Sequence, residues 1–162
     1  MMKKLSLVFA GALFVMAMAG VATAIAAEFG TAAEAKAMLE KAVAAVKADK
    51  AKALGMFAKG EGGFKDRDLY PFCGGPDGNF TAHPSLVGKS LKDLKDKAGK
   101  ALGAEMYKVA QAGKISEVSY MWPRPGTTDP VQKVSLFTKV GDQICAVGYY
   151  GEASSSSGAG GY

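Results

Sequence analysis

The chain has 162 residues, 49% of them hydrophobic and 22% charged, with 20 basic against 15 acidic side chains and a formal charge of +5. Once the two ends are set aside, that length supports one hydrophobic core and is too short for two. Two of the basic residues, Lys3 and Lys4, fall in a leader, and Lys89, Lys92, Lys95, Lys97 and Lys100 are interleaved with Asp93 and Asp96, so they read as a solvated face and not as a nucleic-acid surface.

Met1-Met2-Lys3-Lys4 is followed by an uncharged run from Leu5 to Gly20 and a small-residue stretch from Val21 to Ala27 before the first acid, Glu28. That order of basic, apolar and Ala-x-Ala segments is the pattern of a secretory signal. The expected division is a leader over 1-26, cut somewhere within 24-27, a domain over 27-150 and a tail over 151-162. The alternative is a retained anchor, since the apolar run approaches a bilayer-spanning length, but Gly11 and Gly20 weaken a spanning helix. Export to a periplasmic or secreted location is therefore expected. The Gly/Ser-rich tail has almost no side chain able to bury apolar area, so ordering it brings little return for its backbone entropy. No second hydrophobic segment and no output module are expected after the domain.

Within the domain, Thr31-Ala32-Ala33-Glu34 is a capping box. Leu39, Val43, Val46, Ala53 and Phe57 then recur mostly at steps of three and four, which predicts one long amphipathic helix ending near Lys59-Gly60. Asp68 to Cys73 reads as a first strand, irregular or free on one side at Pro71, and Asn79 to His83 as a second after a Gly/Pro/Asp turn. Ser90-Leu91-Lys92-Asp93 offers a cap for a short charged helix. Leu102, Met106, Val109 and Ala110 mark one face of a further helix stopped by Gly113. After that the period changes to two. Val118, Tyr120 and Trp122 lie on one face of a third strand, Val131 to Val140 forms a fourth after a Pro-rich loop, and Gln143 to Tyr150 a fifth. Helix, two strands, helices, three strands is an α+β order with an antiparallel sheet.

The two cysteines, Cys73 and Cys145, together with the single histidine His83, leave a zinc site one ligand short, and Cys-x-x-Cys-His for covalent haem is absent. No metal and no cofactor are expected. An oxidising compartment favours a structural disulfide between the cysteines, with two free buried thiols as the alternative. No serine, cysteine or carboxylate is spaced to suggest a catalytic triad, so the chain is not read as an enzyme.

From Asp68 to Tyr150 the chain resembles the single Cache domain family of extracytoplasmic sensors. The resemblance is carried by Asp68-Leu69-Tyr70-Pro71-Phe72, the Asp77-Gly78 turn, His83-Pro84 followed by Leu86-Val87-Gly88-Lys89, Leu94-Lys95-Asp96, Tyr120-Met121-Trp122-Pro123-Arg124-Pro125-Gly126, Lys133, and Gly148-Tyr149-Tyr150. It implies a PAS-like fold in which a long N-terminal helix backs a five-stranded antiparallel sheet, with helices inserted after the second strand and a pocket for short organic acids between them and the sheet. It also implies that the first and last strands are neighbours, so that Cys73 and Cys145 face each other.

A pocket for a small acid needs a cation or several donors shielded from water. Lys133, at the start of a strand after the Pro-rich loop, matches the lysine that the family carries there. Arg124 lies in that loop, which reads as a lid. Arg67, among Lys65, Asp66 and Asp68, is expected in a surface ion pair. His83 is expected either to bond ligand or to hold its corner by bonding backbone. Tyr70, Phe72, Tyr120, Trp122 and Tyr149 are candidates to line the cavity, with the ordinary core as the alternative. The function expected is capture of a small molecule such as a carboxylate, with a membrane sensor or transporter as the expected partner; the alternative is a structural or interaction protein that uses the fold without a ligand.

Overall fold

A computed structural model describes residues 29-150. The leader and its cleavage region over 1-26 and the tail over 151-162 lie outside the described residues. The elements are α1 (Ala32–Ala48), α2 (Lys50–Lys59), β1 (Pro71–Gly74), β2 (Phe80–Ala82), α3 (Leu102–Val109), β3 (Ser116–Pro123), β4 (Pro130–Val140) and β5 (Gln143–Tyr149). The five strands make one sheet in the order β2-β1-β5-β4-β3, and every pairing is antiparallel. Among the described residues no helix is long and apolar enough to cross a membrane.

The capping box forms as expected: the Thr31 side chain accepts from the Glu34 amide, and the Glu34 carboxylate accepts from the Thr31 amide. The single long helix does not. It divides at Asp49, whose backbone is extended and whose carboxylate accepts from Lys52 N at 3.0 Å, so that one residue ends α1 and caps α2. A short polar side chain that competes for a nearby amide breaks the ladder here, while the apolar spacing continues across the break.

The charged helix expected after Ser90 is also absent. Ser90 Oγ accepts from Asp93 N at 3.1 Å, but the next donors are taken elsewhere. Leu91 N and Lys92 N both donate to Gly78 O, and the Asp96 carboxylate accepts from the amides of Ala98, Lys100 and Met121. With only Leu91 and Leu94 to bury, this segment gains more from those bonds than from a helical turn. One helix, α3, therefore stands after the second strand where two were expected. It lies against this loop through Gly103, where an added Cβ would overlap the Leu91 carbonyl. Gly103→Ala should lower stability by about 2–3 kcal/mol, in the range for forced overpacking. Chemical denaturation checks this, and an unchanged midpoint would refute the close approach.

The first strand is shorter than expected because Asp66 to Leu69 closes a turn of its own, with Asp66 N donating to Leu69 O and Leu69 N to Asp66 O. Pro71 pairs with Val147 of β5, while pairing to β2 begins at Cys73 and shifts register there. The missing proline donor thus falls where only one neighbour is present.

The sheet separates two apolar cores. Leu39, Val46, Phe57 and Phe64 pack with Cys73, Cys145 and Val147 on the face covered by α1 and α2. Phe72, Phe80, Leu91, Leu102, Met106, Val118, Phe137 and Ile144 fill the other, under α3 and the loop before it. Cys73 and Cys145 are register partners on adjacent strands, with Cα atoms 4.1 Å apart, and they form a disulfide.

Candidate functional site

The site lies on the α3 face of the sheet, and strand alternation decides who reaches it. On β4, Lys133, Ser135 and Phe137 point to this face. On β3, Val118, Tyr120 and Trp122 do the same, and Tyr120 is the register partner of Lys133. The Tyr120 hydroxyl and Ser135 Oγ are 2.8 Å apart. Burial, eased by that bond, raises the Tyr120 phenol pKa far above its ordinary value, so it stays a neutral donor.

Lys133 is the group that requires explanation, because it is only 1% exposed. Its Nζ donates to Tyr70 Oη at 3.1 Å and sits 4.5 Å and 4.7 Å from the ring centres of Tyr70 and Tyr150. Its stem crosses Gly148, where any Cβ would overlap Lys133 Cε. Burial pulls its pKa down from 10.5 to about 7, and the negative charge of Asp68 acts against that fall. Tyr70 is pushed up to about 12, first by burial and then by Asp68, against a hydrogen bond with Tyr150. Tyr150 in turn donates to Pro123 O at 2.7 Å, which ties the end of β5 to the Pro-rich loop.

In front of this cluster is a chamber of about 10 Å³ lined by Tyr70, Phe72, Phe80, His83, Tyr120 and Trp122 together with three leucines. It has room for about one water. Tyr70, His83, Leu86 and Trp122 also line a wider outer chamber of about 500 Å³, whose rim carries Lys59, Lys65, Arg67 and Arg124. The two chambers share those four residues in their linings.

His83 bonds backbone at its corner. Its Nδ1 accepts from Ser85 N at 3.0 Å, which holds the corner after β2 and leaves the proton on Nε2, while its ring lines both chambers. Burial first, then the Lys133 charge, lowers its pKa to about 4, so it is neutral near pH 7. Arg124 belongs to the outer chamber. Its guanidinium stacks 4.0 Å from the Phe29 ring centre, Nη2 donates to Tyr150 O at 3.4 Å, and Nε is buried without a hydrogen-bond partner. Arg67 bridges Glu34 and Asp66, as expected of an ion pair, and also borders that chamber.

Tyr149 is not brought to the site. It follows Cys145 and Val147 on the α1 face and packs against that core. Its neighbour Tyr150 takes the place expected for it. The period-two pattern through Ala146 and Gly148 carried that signal. Asp68, 6% exposed, is the other buried polar residue beside the site; sequence reasoning placed it at the start of the first strand and as a neighbour of Arg67, not among the candidate site residues.

The profile of the family described as Cache domain matches residues 30-150. The methyl-accepting chemotaxis protein McpP of Pseudomonas putida is 37% identical over 54 residues, which cover 33% of this chain and 10% of that protein. The aligned stretch thus spans about a tenth of that relative's length. Among solved structures, a methyl-accepting chemotaxis protein from Vibrio parahaemolyticus aligns with TM-score 0.59 and 26% identity, covering 73% of this chain and 86% of that one. A periplasmic sensor domain of a chemotaxis protein aligns with TM-score 0.55 and 25% identity over 72% and 87% of the two chains. A Cache chemosensory domain described for carboxylic acid recognition shares the fold at TM-score 0.51 and 22% identity, over 72% and 85%. With sheet order, two-faced core and family profile in agreement, the chain belongs to the Cache domain family.

Proposed function

We propose that this is an extracytoplasmic ligand-binding domain of sensor type, and that its ligand is a short organic acid taken up against Lys133. The observation that carries this reading is a buried lysine amine held against two phenols, one of which, Tyr70, lines an aromatic chamber. Burying a cation costs free energy that an apolar residue would avoid, so a lysine retained here suits an incoming carboxylate. Tyr70, Tyr120 and the Nε2 proton of His83 supply donors for such a ligand. Trp122 closes the chamber, and Arg124 lies at its mouth. The inner chamber is narrow, so a ligand of even a few carbons moves Tyr70 and Trp122 aside or opens them toward the outer chamber. The carboxylic-acid-recognising domain of like fold supports the choice of ligand class. The leader pattern and the Cys73–Cys145 bridge support a location outside the cytoplasm, where disulfides persist. Delivery to a membrane sensor or transporter is the matching partner.

Thermal melts with a panel of short mono- and dicarboxylates test the reading. The right acid should raise the midpoint by an amount set by its concentration over its dissociation constant. The rise should be larger at pH 6 than at pH 9, because Lys133 with a pKa near 7 is charged only at the lower pH. If no acid shifts the midpoint at either pH, and mass spectrometry of protein from its native compartment shows no co-purified acid, the fold serves as an interaction module instead.

A further inference from the structure

Another chamber, of about 500 Å³, is lined by Phe29, Arg67, Asp68, Arg124, Pro125 and Thr127. It has no residue in common with the inner aromatic chamber and shares Arg67, Arg124 and Pro125 with the outer one. Its lining is tied together locally. Asp68 Oδ1 accepts from Gly30 N at 2.7 Å and Arg67 Nη1 donates to Phe29 O at 3.0 Å, so the segment before α1 is bonded to the turn before β1. Arg67 is further engaged by Glu34 and Asp66. From the Pro-rich loop, Arg124 stacks its guanidinium on the Phe29 ring, and its carbonyl accepts from both Thr127 N and Thr127 Oγ1 at 3.0 Å.

Two polar atoms of this lining are left over. Asp68 Oδ2 and Arg124 Nε are each buried with no hydrogen-bond partner, and among the described residues they are the two side-chain atoms in that state. Asp68 as a whole is only 6% exposed. One atom is an acceptor on an anion and the other a donor on a cation, and leaving both unmatched away from water costs free energy twice. A lone carboxylate would answer Arg124 and be repelled by Asp68, while a lone amine would do the reverse. A molecule with one charge of each sign answers both.

We propose that this chamber is a second binding site, for a small amino acid: its ammonium donates to Asp68 Oδ2 and its carboxylate accepts from Arg124 Nε. Both atoms are closed off from bulk water, so entry displaces the Arg124 side chain, which is held by its ring contacts and by one 3.4 Å bond to Tyr150 O. The site is separate from Lys133 and does not rest on the acid-binding reading.

Nuclear magnetic resonance of the full protein tests this, following the Asp68 carboxyl carbon, the Arg124 Nε and the Lys133 side-chain carbon. The probes are glycine, β-alanine and γ-aminobutyrate, which differ in the separation of their charges, with acetate and methylamine as single-charge controls. The amino acid whose span fits should move Asp68 and Arg124 together at millimolar concentration and leave Lys133 in place. Each control should bind there about tenfold more weakly or worse. In calorimetry, Asp68→Asn should weaken the fitting amino acid about tenfold or more, although its amide oxygen can still accept from Gly30 N. Should that variant fail to fold, the resonances of the native protein decide alone. The proposal is overturned if no probe moves Asp68, or if acetate moves Arg124 as far as any amino acid does. Movement of Lys133 with Asp68 unmoved overturns it as well, and leaves the acid-binding reading standing.

Discussion

Lys133→Met should reduce acid binding about a hundredfold or more and remove one component of the protein's pH-dependent stability. The binding loss follows from deleting a desolvated cation that no neighbour can replace, since removing one side of a buried charged contact typically costs 2–5 kcal/mol. Methionine keeps the unbranched stem that crosses Gly148, so the variant tests charge and leaves the volume nearly unchanged. The stability effect has a definite sign. Folding lowers the lysine pKa from 10.5 to about 7, so between those values the unfolded chain holds a proton that the folded chain does not. Stability from this group therefore rises as pH goes from about 7 to about 10, and below about 7 the cost of burying the charge is present in full. Denaturation midpoints measured across that window should slope upward in the native protein and flatten in Lys133→Met. Equal slopes in the two proteins would mean that Lys133 is not titrating in the fold.

The largest effect on stability is expected from the disulfide. Replacing both Cys73 and Cys145 by alanine should cost about 4 kcal/mol, because the bridge closes a loop with a sequence separation of 72 and so restricts the unfolded chain. For a domain of this size that is on the order of 15 °C in melting temperature. The bond joins β1 to β5 on the α1 face, where both residues are fully buried, so alanine also leaves a small cavity. Guanidinium denaturation of the native and doubly substituted proteins measures the difference. A loss under 1 kcal/mol would show that the unfolded chain is already compact enough to hold the two strands together. The site side of the sheet should be affected less, since Phe72 and Ile144, which flank the bridge in sequence, point into the other core.

Much of the fold was legible because its signals are short-ranged. Thr31 and Glu34 are three residues apart, and their capping box formed as read. The alternation of Val118, Tyr120 and Trp122 identified both the third strand and its inward face. Where local signals competed, reading them separately failed. The apolar spacing ran through Asp49, but the aspartate's own affinity for Lys52 N broke the helix. Ser90 and Asp93 did form their capping contact, yet the amides that would have extended a helix were claimed by Gly78 and Asp96.

The candidate site was legible by residue type and only partly by position. Lys133, Tyr70, Tyr120, Trp122 and His83 do converge on one face. Tyr149 was assigned in place of Tyr150, an error of one residue that moves a side chain through the sheet. Asp68 was read beside Arg67 because they are adjacent in the chain, whereas its carboxylate accepts from Gly30 N, 38 residues away.

The amino-acid sequence alone determined the division into leader, domain and tail as an expectation, the α+β order, the strands' periods and the family to which the chain belongs. The first three follow from composition and from contacts within about four residues, and the family from the resemblance of the motifs spaced between Asp68 and Tyr150. Tertiary structure decided which tyrosine of the last strand meets the lysine, how small the inner chamber is, and that Asp68 is buried with one carboxylate oxygen unpartnered. These depend on strands that are 63 residues apart at the Tyr70–Lys133 bond, and on a desolvation that exists only once both faces of the sheet are covered.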